Sequence, residues 1–156
     1  MDHRDKTALA ELLGQQRIAT LAVDIEGMPY ASLVPFATGD RSQTLLIHVS
    51  ELARHSAGLT DGAAFSALIH QPDCRPETNP AQLARVTLQG RVERLRPDTA
   101  EHKVARERYL TKFPKSAMTF ELGDFSLITL RIESCRFVAG FGKAFDVAPT
   151  DLAELD

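Results

Sequence analysis

Residues 17–50 read RIATLAVDIEGMPYASLVPFATGDRSQTLLIHVS. From 17 to 23, Ile18, Thr20 and Ala22 alternate with Ala19, Leu21 and Val23. A period of two with β-branched content predicts a strand. Glu26-Gly27-Met28-Pro29 predicts a turn, because glycine reaches positive φ and proline donates nothing to a central ladder. A second strand follows over 30–38, interrupted near Pro35. Residues 39–43 form a second turn, and 44–49 a third strand. Strands joined this tightly form an antiparallel meander.

Outward from this stretch, Leu9, Leu12 and Leu13 recur at helical spacing over 5–16, with Asp5 placed to cap the start. Downstream, 51–60 predicts a short helix with Ser50 as N-cap and Leu52 and Leu59 on one face. A strand over 63–69 precedes a polar loop, 70–82, containing Pro72, Pro76 and Pro80. A long strand over 83–95 carries Gly90 as a bulge. Pro97 opens a helix running to about residue 112, and a helical turn covers 116–122. Strands at 125–133 and 135–140 precede a glycine-containing, then acidic, tail.

The pattern predicts one mainly β (α+β) domain over 1–156, with about seven strands and two or three added helices. Its parts are a helix in 1–16, a barrel in 17–140 and a tail in 141–156. Short meandering strands that must leave no open edge suggest closure into a barrel. The runs 31–34 and 65–69 are apolar on both faces, more than one small barrel must bury, which predicts a symmetric dimer.

A net charge of −3 argues against broad binding to nucleic acid or anionic membrane. Cys74 and Cys135 make no C-x-x-C and read as two buried free thiols. His48, His55, and the His70-Asp73-Cys74 cluster lack a metal-binding frame, so no metal is expected. With no apolar h-region after Met1–Lys6 and no membrane-length apolar run, a soluble, cytoplasmic chain is expected.

Ser50, Arg54 and His55 surround the start of the short helix expected after the third strand. Unpaired N–H groups there favour an anion, and Arg54 adds a planar fork suited to phosphate. A solvated helix face with an ordinary serine cap is the plainer reading of the same residues. No residue stands out as a catalytic acid or base.

The stretches 17–21, 27–36, 50–55, 84–90, 123–127 and 138–144, in that order and spacing, resemble the FMN-binding split β-barrels related to pyridoxamine 5′-phosphate oxidase. Within them the chain is most similar to the haem-utilisation (HugZ-type) branch. The resemblance implies a homodimer with FMN in the groove between barrels, and a flavin-dependent oxidoreductase with another substrate. It implies backbone contacts to the flavin ring from Ser32, Val34, Pro35 and Phe36. His48, on the third strand, is taken as a further cofactor contact, and Ser50, just after that strand, stands where the family contacts flavin or ribityl oxygens. Arg54 and His55 stand where the oxidases carry Arg-Lys, and Arg85 where they carry Gln.

Two departures matter. The oxidases hold substrate phosphate with a Trp-containing C-terminal stretch; this chain has no Trp and an acidic end. The haem-utilisation proteins ligate haem through histidine, in some cases from the C-terminal region, and here no histidine follows His102. The expectation is FMN first, with weak haem binding lacking a histidine-ligated spectrum. Haem binding or degradation and a non-catalytic flavin-binding module are the alternatives.

Overall fold

The computed structural model describes residues 1–155. Helix α1 (His3–Gln15) starts in a reciprocal capping box. The Asp5 N–H donates to Asp2 Oδ1 at 2.9 Å and the Asp2 N–H to Asp5 Oδ2 at 3.1 Å. Asp2 is therefore the cap, and Asp5 sits one turn in. Leu9, Leu12 and Leu13 point into the core.

Strands β1 (Ile18–Ile25) and β2 (Met28–Pro35) pair antiparallel from Ile18↔Pro35 to Ile25↔Met28. The turn between them is tighter than expected. Only Glu26 and Gly27 lie outside the strands, with φ of 54° and 81°, the two positive values that a two-residue hairpin needs. Pro29 stays within β2 because β2 is the sheet's edge, where a missing N–H breaks no ladder.

The remaining strands are β3 (Ala37–Thr38), β4 (Thr44–Ser50), β5 (Ala64–His70), β6 (Arg85–Arg94), β7 (Phe125–Gly140) and β8 (Lys143–Val147). They form one curled antiparallel sheet in the order β2-β1-β5-β6-β7-β4-β3, with β8 added on β7. This is the split-barrel fold. The two terminal strands expected from the sequence are a single 16-residue strand, β7. It can serve β4, β6 and β8 along its length because its register shifts at Gln89/Gly90 against β6 and again near Val138/Gly140 against β8. Gly90 is required there: a Cβ would lie 1.8 Å from the Arg131 carbonyl oxygen.

Helix α2 (Ala100–Lys112) is capped by Thr99, whose Oγ1 accepts from the His102 N–H at 3.2 Å. Pro97 precedes the cap rather than opening the helix. Helix α3 (Ala117–Phe120) follows, and α4 (Pro149–Leu152) ends the fold. The tail is therefore structured: Val147 and Leu152 join the main core beside Phe36, Leu21, Ile47, Val86 and Phe137. Residue 156 of the acidic end lies outside the described residues.

One thiol is as expected and the other is not. Cys135 is buried, and burial pushes its thiol up to about 12, whereas Cys74 is exposed in the 71–84 loop. Among the described residues no helix is long and apolar enough to cross a membrane.

Candidate functional site

The segment after β4 is not the expected helix. Ser50 closes the strand, and Arg54–Gly58 is a 3₁₀ turn led by Ala53, which offers no side-chain cap. Ser50 is committed to the corner itself. Its Oγ donates to Asp124 Oδ2 and accepts from the Leu52 N–H, both at 3.2 Å, while Ser56 Oγ donates to its carbonyl at 2.7 Å. The corner therefore lacks a helix dipole and carries a carboxylate. Glu51 adds another, held below its usual range chiefly by Ser126 and also by Arg94.

Four of the nine anticipated residues stand at or beside this corner: Ser50, Arg54, His55 and Ser32. Ser32 Oγ lies 3.0 Å from His55 Nδ1, and the Arg54 guanidinium lies 5.6 Å from the centroid of the Tyr30 ring. Arg54 has no carboxylate partner among the described residues. His55 Nε2 is buried with no partner, and burial holds the ring below its ordinary value. Val34 and Phe36 are core side chains, so only their backbones face outward; Pro35 is exposed at the end of β2.

His48 lies apart, in an aromatic cage. Its ring stacks on Phe120 at 3.7 Å and 4°, with Phe125 at 5.1 Å and Tyr109 at 5.9 Å. Thr119 Oγ1 donates to the Ser116 carbonyl at 2.8 Å, so at 3.2 Å it accepts from His48 Nδ1–H. Burial first, with the charges of His102 and Arg106, pushes His48 down to about 4. It is a neutral packing residue.

Arg85 lies on the outer face of the sheet, where a different set of residues converges. The register aligns Leu33 with Thr20, Thr20 with Leu68 and Leu68 with Thr87, a row across β2, β1, β5 and β6. One step along the strands lie Ile18 and the directly opposed pair His70↔Arg85. Leu33 is 63% exposed and Ile18 49%. They border a shallow cavity of 130 Å³ with Leu68, His70 and Pro72. Arg85 Nη1 donates to the Ala81 and Leu83 carbonyls, each at 3.1 Å. This shelf can receive a flat apolar ring, with a cation at one rim. The both-face apolarity of 31–34 and 65–69 is the sequence signal for it. His70 carried no such signal, since its meaning depends on its strand neighbours.

A family model, the CREG β-barrel, matches residues 8–154. The chain belongs to the CREG β-barrel family. This CREG β-barrel chain is 31% identical over 128 residues to the chloroplastic heme oxygenase HOZ of Arabidopsis thaliana, an alignment spanning 82% of this chain and 37% of the plant protein. It is 27% identical to a heme binding protein from Mycobacterium smegmatis, with a TM-score of 0.83, covering 99% of this chain and 62% of the other. It thus spans only part of both relatives. A Clostridium acetobutylicum protein of the pyridoxinephosphate oxidase family, related to a general stress protein, has the same fold at 13% identity and a TM-score of 0.69, covering 97% and 99% of the two chains. The split-barrel resemblance read from residues 17–147 therefore holds for this CREG β-barrel protein. Its haem-utilisation side is supported better than its flavin side.

Proposed function

We propose that this chain binds haem on the outer face of β2, β1, β5 and β6, as part of a haem-degrading or haem-handling protein. The apolar shelf of Leu33, Thr20, Leu68 and Ile18 carries this reading. The names of the plant and mycobacterial relatives agree with it. The sequence placed FMN first because the order and spacing of its stretches resemble FMN-binding split barrels, with Ser50, Arg54 and His55 at the phosphate anchor. The commitment of the Ser50 hydroxyl to Asp124 and Leu52 weighs against that order.

Leu33, Ile18 and Leu68 remove the macrocycle from water, and the Arg85 side chain gives its carboxylate edge a cation. A second copy of the chain covers the opposite ring face, which accounts for a shelf too apolar to stand bare. Bound haem supplies an iron centre for dioxygen chemistry, and in degradation it is also the substrate. Titration of the purified chain with hemin, followed through the Soret region, tests the reading, and an unperturbed free-hemin spectrum rejects it. Light scattering should give twice the 17.2 kDa chain mass.

FMN binding is the second reading, favoured by two observations: among the described residues the Arg54 guanidinium has no carboxylate partner and the buried His55 Nε2 has no hydrogen-bond partner. It requires FMN to bind better than riboflavin. Equal binding of the two removes the phosphate anchor.

A further inference from the structure

We infer that His70 is the axial ligand that this chain offers to haem iron; the inference rests on the haem reading above. His70 ends β5, is exposed, and borders the shelf cavity with Ile18, Leu33 and Leu68. Its Nδ1 lies 2.7 Å from the Gln71 carbonyl oxygen. A carbonyl oxygen only accepts, so Nδ1 carries the proton and donates it. The ring is thereby held as the tautomer whose Nε2 keeps a free lone pair. A ligating histidine is usually oriented in this way, with its second nitrogen donating to a carbonyl or carboxylate.

The other histidines are placed differently. His48 is half-buried, its ring stacked on Phe120 with Phe125 and Tyr109 beside it and its Nδ1–H donated to Thr119 Oγ1. His55 Nε2 is buried behind the Ser32 contact. His102 stands in the first turn of α2, and His3 in the first turn of α1, both off the sheet. Only His70 combines an open nitrogen with apolar surface wide enough for a macrocycle. Four strands at about 4.8 Å spacing make that surface roughly 14 Å across. Arg85, opposite His70 in the β5–β6 ladder, has no carboxylate partner among the described residues and places a cation at the rim.

The test uses the full chain and hemin. The wild type should give a sharp Soret band and the electron paramagnetic resonance signature of histidine-ligated ferric haem. His70→Ala should lose that signature, and added imidazole should restore it. Thermal melting of the apo variant should match wild type, because the side chain is exposed. His102→Ala should leave the spectrum unchanged. If hemin binds and His70→Ala keeps the wild-type spectrum, His70 is not the ligand and the haem reading stands. If the signature is lost and imidazole fails to restore it, ligation by His70 is again overturned. If the wild type leaves free hemin unperturbed, the haem reading fails and this inference with it.

Discussion

His48 and His70 stand on strands of one sheet and meet opposite fates. Around His48 the chain supplies every neighbour: a parallel ring at 3.7 Å, two further aromatics and a threonine acceptor. Around His70 it supplies half of an environment, with leucine and isoleucine side chains bordering the ring, Arg85 in the facing strand, and His70 itself left exposed. A finished polar group needs no ligand; an unfinished apolar one does. The distinction lies in the layer covering each strand face. Helices α2 and α3 close the first region, whereas Leu33 and Ile18 on the β2–β1–β5 face stay exposed.

The sharpest test compares two neighbours. Phe36 is fully buried while Leu33 is mostly exposed. Phe36→Ala should destabilise the chain by about 3–5 kcal/mol, and Leu33→Ala by no more than about 0.5 kcal/mol. Urea unfolding of both variants without ligand measures this. A large loss at Leu33 would mean that the shelf is already covered, by a second copy of the chain.

On the ligand side the order should reverse. Burying a leucine contributes about 1.5–3 kcal/mol, so Leu33→Asp should weaken hemin binding by roughly 10- to 150-fold. Phe36→Leu, which keeps most of the core volume, should change it little. Equal effects in a hemin titration would erase the contrast between the faces.

The His48 cage predicts a pH dependence. The folded ring titrates near 4 against 6.5 when unfolded. The unfolded chain therefore takes up the proton first, and stability falls as pH drops from 6.5 towards 4, then levels. Discounted for a half-exposed ring, the loss is on the order of 1 kcal/mol. His48→Phe should flatten that part of the profile, read from unfolding midpoints at each pH. At the same corner as His55, Arg54→Ala removes an exposed cation–π contact and should lower stability by about 0.5–1 kcal/mol in the same assay.

The strands of the meander were legible because their period of two survives any context. Gly90 was legible because a glycine inside an alternating run has few other uses. The corner after β4 was not: Ser50 resembles a cap in sequence, but Asp124, far along the chain, claims its hydroxyl. The single length of β7 was hidden by Ser134 and Cys135, which look like a break and are held in register by β6. The phosphate trio was assembled from chain proximity, whereas the shelf is assembled from register. Leu33, Thr20, Leu68 and Thr87 become a surface only when four strands align. His70 could not be told from a loop histidine until Arg85 stood opposite it.

The reach of β7 also governs how the protein is made. Strand β4 has only the two-residue β3 beside it until its other partner, the first half of β7, has been synthesised. At roughly 5–20 residues per second the ribosome needs several seconds, up to about 16, to add the intervening ~80 residues. Throughout that interval a strand carrying Leu45, Leu46, Ile47 and Val49 is an open edge on a nascent chain. Until β7 arrives, that edge is the part of the nascent chain most open to pairing with another strand.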